Sequence, residues 1–72
     1  MNQEELIKNL TSVLQTDKNL TVDTELSSLE EWDSLGMIAT ISYININLKK
    51  NFSFENLKNV KYIKDLVDIL IE

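Results

Sequence analysis

Apolar residues recur at helical spacing near the start of this chain. Between Asn2 and about Gln15 they form one stripe of an amphipathic helix, made of Leu6, Ile7, Leu10, Val13 and Leu14. Asn2 is a suitable N-cap, and Glu5 stands three residues on, where a reciprocal capping contact is possible. The pattern therefore predicts a first helix over this stretch.

The helical pattern is lost between Thr16 and Trp32, where polar residues are scattered among isolated apolar ones. We expect a long loop with room for one short turn of helix. Its apolar side chains, which pin it to the core, are Leu20, Val22, Leu26, Leu29 and Trp32. A loop of this length is uncommon in a small domain unless it is functional, which draws attention to the junction that follows.

A central helix is predicted from Asp33 and Ser34 to about Lys50. Asp33 is a good N-cap, and the two lysines at the end, Lys49 and Lys50, complement the negative end of the helix dipole. Asn51 is expected to take the left-handed conformation that ends the helix.

Two more helices follow the central one. The first is short and starts at Ser53, with Glu55 in its first turn and with Leu57 and Val60 directed inward. The second runs from about Lys61 to Ile71. Its apolar face consists of Ile63, Leu66, Val67 and Leu70.

The central helix carries more apolar residues than one core stripe needs. At about 100° per residue, one group falls in a narrow arc and suffices for the core: Met37, Ile41, Ile44 and Leu48. Leu35, Ile38 and Ile46 fall in a second arc, with Ser42 between them. This second arc is either buried against another neighbour or is an exposed strip that docks a partner.

Composition narrows the function. The chain has 72 residues, enough for one domain spanning 1–72, and neither Cys nor His, which excludes thiol and imidazole chemistry. Seven basic and twelve acidic residues give a net charge of −5, which disfavours nucleic acid and anionic membranes and favours partners with basic patches. No apolar run is long enough to span a membrane and no secretory signal is visible, so we expect a cytoplasmic monomer.

Catalysis by this chain is not expected. Glu30 and Glu31 form a carboxylate pair, but a solvated acidic loop explains them better than acid/base chemistry does. Ser34 is of more interest, because a serine at a helix N-terminus is well placed to carry a phosphodiester. The pattern alone leaves a second interpretation open, in which Ser34 is simply another capping hydroxyl.

The residues Glu-Trp-Asp-Ser-Leu at 31–35 resemble the acyl carrier proteins, whose mark is Asp-Ser-Leu at the start of the second of four helices. The resemblance covers almost the whole chain, including the long loop and the order of the helices. It implies an all-α four-helix bundle of the acyl-carrier type, with three main helices, one short helix and a long loop between the first and second.

The family resemblance implies a role for each matched residue. Ser34 would carry a covalent 4′-phosphopantetheine arm that a phosphopantetheinyl transferase takes from coenzyme A. Asp33 would cap the helix and help to hold the divalent metal of the transferase. Leu35 and Ile38 match partner-contacting positions, and Ile46 shares their arc. The chain itself would be a carrier of acyl thioesters, not an enzyme, and would bind no metal of its own.

One departure from the family concerns charge. Carriers of central fatty-acid synthesis usually have acidic residues along the second helix, whereas the stretch 35–50 contains no Asp or Glu. The acidic residues gather earlier, at Asp23, Glu25, Glu30, Glu31 and Asp33. We therefore expect a specialised stand-alone carrier that serves a dedicated pathway. Two alternatives stay open: an aminoacyl or peptidyl carrier, and an unmodified helical interaction module.

Overall fold

Four α-helices form the regular structure of residues 2–71, the part of the chain that this computed structural model describes. The helices are α1 (Gln3–Leu14), α2 (Ser34–Asn47), α3 (Phe54–Leu57) and α4 (Ile63–Leu70), and a 3₁₀ turn spans Leu26–Ser28. The all-α prediction is confirmed, with three main helices, a short α3 and a long connection between α1 and α2. None of the described helices is long and apolar enough to cross a bilayer.

Helix α1 has the boundaries that its capping residues predict. The Asn2 side-chain oxygen accepts a hydrogen bond from the backbone N–H of Glu5 at 2.8 Å. At the other end, Gln15 adopts a left-handed conformation with φ of 55°, and its N–H bonds back to the last turn. The helix buries Leu6, Leu10 and Leu14, and Ile7 packs against the core. Val13 of the predicted stripe is half-buried and lies outside the core cluster.

The long loop is pinned to the core as predicted by the buried Leu20, Leu26 and Leu29 and by the half-buried Trp32. Val22 is half-buried and does not belong to the core cluster, so its predicted role is wrong. The loop also supplies hydrogen-bond acceptors to the first backbone N–H groups of α4, which the sequence pattern does not predict. The N–H of Ile63 donates to the carbonyl of Thr24 at 3.1 Å, and the N–H of Lys64 donates to the carbonyl of Val22 at 2.9 Å. These two N–H groups belong to the first turn of a helix and have no partner within it. The loop therefore acts as a strap across the N-terminus of α4.

Helix α2 is rotated relative to the orientation that its apolar pattern predicts. Its most buried row is Gly36, Thr40 and Ile44, spaced four residues apart. Only Ile44 of the predicted core arc is fully buried, whereas Met37, Ile41 and Leu48 are half-buried and pack against the core. The small residues Gly36 and Thr40 thus occupy the position of closest packing.

Gly36 lets α1 and the end of the loop approach α2 closely. A Cβ at this position would overlap the carbonyl oxygen of Glu31 and lie 3.2 Å from Cδ2 of Leu14. Thr40 fits one turn later because its hydroxyl donates to the carbonyl of Gly36 at 2.9 Å, so its buried oxygen is satisfied within the helix. Asn9 Nδ2 of α1 also donates to the Tyr43 hydroxyl of α2 at 3.0 Å.

The predicted end of α2 is wrong. The helix ends at Asn47, so Lys49 and Lys50 lie beyond its last turn. The left-handed residue is Lys49, with φ of 55°, and not Asn51. The cause is Asn45, whose side chain accepts from the N–H of Phe52 at 2.7 Å and donates to its carbonyl at 3.1 Å. These two bonds hold the returning chain beside the last turn.

The N-terminal ends of α3 and α4 are fixed by side chains that accept hydrogen bonds from the preceding backbone. Ser53 precedes α3, and its N–H donates to the Asn56 side chain at 3.0 Å. Helix α4 begins at Ile63, two residues after the predicted start, because Tyr62 adopts extended backbone angles. Asp65 compensates, since its carboxylate accepts from the N–H groups of Tyr62 at 2.9 Å and Lys61 at 3.0 Å.

The core lies where the three main helices and the strapped loop meet. Helix α1 packs against both α2 and α4, and α3 packs against α2. The fully buried apolar side chains are Leu6, Leu10, Leu26, Ile44, Ile63 and Leu66. Each main helix and the loop contribute at least one, so the loop is a structural part of the bundle.

We expect Gly36→Ala to destabilise the protein, although alanine is the better helix former by about 1 kcal/mol. The added methyl group meets a backbone carbonyl, which cannot rotate away, and we expect a net loss of about 2 kcal/mol. The difference in the free energy of unfolding, obtained from urea denaturation of the two proteins, measures this loss. Ser42→Ala, at an exposed position of the same helix, is the matched control and should change little. A Gly36→Ala protein as stable as the wild type would contradict the close packing.

We expect Asp65 to contribute a pH-dependent part of the stability. Its two backbone hydrogen bonds, from Tyr62 and Lys61, and the charge of Lys64 lower its pKa from the usual value of 3.8. A carboxylate with a lowered pKa stabilises the fold above its unfolded-state pKa, and this contribution is lost as the pH falls through the folded-state value.

The measurement is the free energy of unfolding of wild type and Asp65→Asn across the acid range. The difference between them should be constant above about pH 5 and should shrink below the unfolded-state pKa. Asp68→Asn, an exposed change in the same helix, is the control and should follow the wild-type curve more closely. An Asp65→Asn profile parallel to the wild type throughout would show that Asp65 does not act in this way.

Candidate functional site

Ser34 is the first residue of α2, and its side chain is exposed at the end of the long loop. Asp33 directly before it is the N-cap. Its Oδ1 accepts from the N–H of Gly36 at 2.9 Å, and its carbonyl accepts from the N–H of Met37, also at 2.9 Å. The exposed serine hydroxyl therefore sits on a well-defined first turn.

Trp32 fixes the chain just before this turn. Its backbone N–H donates to the carbonyl of Leu29 at 3.1 Å, and its half-buried side chain packs against the core. Because Trp32 and Gly36 are both held against the rest of the protein, the segment between them has little freedom. The backbone around Ser34 is thus positioned while its side chain stays accessible.

The electrostatics of the junction combine two opposite features. The N-terminal turn of a helix carries partial positive charge on its free N–H groups, which favours an anion attached there. The segment just before it is acidic, with Glu30 and Asp33 exposed and Glu31 half-buried. Ser34 therefore stands at the positive end of a helix dipole, beside an acidic surface.

An exposed apolar strip runs along α2 from this junction. We define the α2 strip as Leu35, Ile38 and Ile46, whose exposed fractions are 76%, 48% and 74%. Ser42 lies exposed between them. The structure thus separates this arc from the core and leaves it on the surface beside Ser34. Two other exposed apolar side chains, Phe54 of α3 and Ile69 of α4, were not among the predicted site residues.

A surface cleft lies between the first turns of α2 and the end of α1, and Leu35 of the α2 strip also lines it. This α1–α2 cleft has a volume of about 360 Å³. Its apolar wall is formed by Val13, Leu14, Leu35 and Ala39, and the remaining lining residues are Gln15, Glu31, Asp33 and Gly36. Both sequence neighbours of Ser34 line the cleft, so it opens directly beside the serine.

The sequence did not predict the position of Glu31. We expected Glu30 and Glu31 to form a solvated pair, but only Glu30 is exposed. The Oε1 atom of Glu31 is buried and has no hydrogen-bond partner. One sequence feature was an indirect sign of this position. Gly36 is the single glycine of the chain, and it lies where the backbone of Glu31 approaches α2 closely.

Comparison with known proteins adds no named relative. The chain matches no protein-family model, and no curated protein and no solved structure matches it.

Proposed function

We propose that this protein carries acyl groups as thioesters on a 4′-phosphopantetheine arm attached to Ser34, and delivers them to the enzymes of one dedicated biosynthetic pathway. The observation that carries the proposal is the exposed Ser34 hydroxyl on the first turn of a helix that Asp33 caps, beside the apolar α2 strip. This arrangement unites an attachment point with a surface that partner enzymes can recognise.

The residues around Ser34 fit such an arm. Its phosphate would lie against the N-terminus of α2, where the helix dipole and the N–H groups of the first turn stabilise negative charge. The α1–α2 cleft beside Ser34 supplies apolar walls for the rest of the arm. The chain itself has no cysteine, and the arm would supply the thiol on which an acyl group is held in activated form.

Attachment requires an exposed hydroxyl and a metal-dependent partner enzyme. Ser34 Oγ would form the new phosphodiester bond while the pyrophosphate bond of coenzyme A breaks, 3′,5′-ADP leaves, and the hydroxyl proton passes to a base of the transferase. Asp33 Oδ1 is engaged in the helix cap. Its second oxygen, Oδ2, would contact the divalent cation of the transferase, so one residue serves both roles.

The proposed mechanism is proximity. A tethered acyl group reaches a partner's active site at a high effective concentration, which lowers the entropic cost of each transfer. The protein needs no catalytic group of its own for this role, because each partner enzyme brings its own. A cytoplasmic, monomeric carrier is consistent with this mode of action.

Partner recognition would combine the α2 strip with the acidic loop. The strip presents apolar area, whereas Glu30 and Asp33 attract basic patches of loading and accepting enzymes. Helix α2 itself carries no Asp or Glu. Enzymes that recognise acidic side chains on this helix would bind this protein weakly, which supports a specialised carrier over a general fatty-acid carrier.

The exposed strip also supports a second candidate from another class. A helical interaction module without any attached group would present the same apolar surface. The two candidates differ in one covalent event at Ser34, which an intact mass measures directly.

We expect the purified protein to gain one phosphopantetheinyl unit when it is incubated with coenzyme A, Mg²⁺ and a broad-specificity transferase. Intact mass spectrometry detects the gain. Ser34→Ala should not be modified, whereas the matched control Ser42→Ala, which removes another exposed serine of α2, should be modified like the wild type. No gain with several transferases would favour the unmodified interaction module. A gain that persists in Ser34→Ala would show that another residue carries the arm and would overturn the assignment to Ser34.

We expect Ile38→Ala to leave folding nearly intact and to weaken partner recognition. Ile38 is half exposed in the strip, so its loss removes contact area from the complex and leaves no cavity in the core. The rate of arm transfer, measured as kcat/KM of the transferase, should fall about fivefold, the effect of about 1 kcal/mol at an interface.

The matched control is Ile69→Ala, which truncates an exposed isoleucine of α4 instead of α2 and should leave kcat/KM unchanged. Thermal melts of both variants should lie close to the wild type. A large loss of thermal stability in Ile38→Ala would place this side chain in the core, and equal kinetics for the two variants would remove the strip from the interface.

A further inference from the structure

We propose that two copies of this protein associate through the α2 strip, with their α2 helices side by side and antiparallel. The acidic N-terminal end of each strip then faces the basic C-terminal end of the other. The association needs no group on Ser34 and is independent of the proposed function. The juxtaposition that carries it is an exposed apolar strip on an uncharged helix, with exposed acidic residues before one end and lysines after the other.

The exposed side chains of α2 form a row that one neighbouring helix can cover. Leu35 and Ile46 lie at the ends of the strip, and Ile38 and the exposed Ser42 lie between them. At about 100° per residue, these four positions fall within an arc of about 80°. Ser42 has the smallest side chain of the four, so a second helix can approach most closely there.

The order of large and small residues along the strip suits a second copy of the same helix. Leu35 is the second residue of α2, and Ile46 is the second from its end. A two-fold axis through the middle of the helix therefore places Leu35 of one copy opposite Ile46 of the other. Ile38 then faces the space beside Ser42 of the other copy. An interface with two-fold symmetry requires such a self-complementary surface.

Acidic residues stand at the N-terminal end of the strip. Glu30 and Asp33 are exposed, and Asp33 lines the same cleft as Leu35, so the acidic surface adjoins the first apolar residue. Helix α2 itself contains no charged residue. The charges that flank the strip along the chain therefore stand beyond its two ends.

Lysines stand at the C-terminal end of the strip. Lys49 is exposed and Lys50 is half-buried. Leu48 keeps right-handed helical backbone angles after the last turn, so the backbone of Lys49 continues the helical path three residues beyond Ile46. Neither lysine forms an ion pair with another of the residues 2–71. Both can therefore pair with carboxylates of another molecule.

Charge selects a second copy in the antiparallel orientation. Glu30 and Asp33 of one copy face Lys49 and Lys50 of the other, and the two-fold axis repeats these pairs at both ends of the interface. In the parallel orientation, like charges would meet and repel one another. One chain thus presents both halves of a complementary surface, and complementary charge is what specifies a partner.

The interface is small, so the dimer is weak. Three exposed apolar side chains on each copy bury less than the roughly 1,200 Å² of a standard stable interface. We expect a dissociation constant of about 0.1–1 mM. The protein is then monomeric at the low concentrations of an enzyme assay, and an enzyme that binds the strip displaces the second copy. Ser34 falls outside the arc of the strip and stays at the edge of the interface.

The first experiment measures self-association of the unmodified wild-type protein. Sedimentation equilibrium from about 20 µM to about 2 mM should show the mass rising from monomer toward dimer, because this range spans the expected dissociation constant. Over the same range, the methyl NMR signals of Leu35, Ile38 and Ile46 should shift with concentration. The methyl signals of Ile69, an exposed residue of α4, are the internal control and should not shift.

The second experiment reverses the charges at the ends of the strip. Glu30→Lys and Lys49→Glu should each weaken self-association about tenfold, because the symmetry places repulsive pairs at both ends of every dimer. An equimolar mixture of these two variants should restore association, since opposite charges again meet at both ends. Lys8→Glu changes an exposed lysine of α1 and gives the same net charge as Lys49→Glu, so it is the matched control and should associate like the wild type.

A third variant leaves both charged ends intact. Ser42→Asp places a carboxylate in the middle of the apolar contact and should abolish self-association. Because Ser42 is exposed, the variant should fold, and thermal melts of all the variants check this.

Any of three outcomes overturns the inference. The first is a monomer mass throughout, and strip signals that then respond only to an added transferase would assign the strip to enzymes alone. The second is a mixture that associates no better than either charge variant by itself, which would exclude the antiparallel pairing. The third is a set of concentration-dependent shifts at Ile69 in place of the strip. Modification of Ser34 is measured separately by mass, so a protein that gains the arm and stays monomeric removes this inference and leaves the proposed function intact.

Discussion

The close approach at Gly36 is the constraint on which the rest of the structure depends. The Leu14 side chain from α1 and the carbonyl of Glu31 from the loop both press on this position, where no Cβ fits. Because α2 starts only two residues earlier, its first turn is fixed relative to α1 and to the loop. The exposed Ser34, the buried Glu31 oxygen and the cleft all follow from this one contact.

The same contact divides the surface of α2 into distinct faces. Its buried row takes the small residues Gly36 and Thr40 against α1, and the Thr40 hydroxyl is satisfied by the Gly36 carbonyl. Bulky side chains are therefore displaced to the flanks and the outer face. A helix that is apolar on several sides can bury only some of these sides in so small a bundle, and the remaining apolar residues form the α2 strip.

The long loop is a structural element as much as a connection. Its carbonyls satisfy the N-terminal N–H groups of α4, and its leucines fill the core, so it ties α4 to the junction before α2. The carrier that we propose would need a rigid attachment point for its mobile arm. The loop across α4, the packing of Trp32 and the close contact at Gly36 fix the backbone around Ser34, and the serine itself stays exposed.

The sequence by itself determined the features that depend on neighbouring residues. The four helices, the Asn2 and Asp33 caps and the loop between α1 and α2 could be predicted, because capping and helical periodicity act within a few residues. Ser34 could also be singled out from the sequence, because its place after the N-cap residue Asp33 is a local feature. Periodicity likewise separated Leu35, Ile38 and Ile46 from the core arc, without showing which arc would be covered.

Only the tertiary structure decided the rotation of α2, its end at Asn47 and the burial of Glu31. Each depends on contacts between distant parts of the chain: α1 against Gly36, Asn45 against Phe52, and the loop backbone against α2. A hydrophobic pattern records which residues of a helix favour burial, but not the side from which a neighbour approaches. Backbone groups that meet in space leave no pattern in the side chains, and for this reason the cleft beside Ser34 could not be found from the sequence.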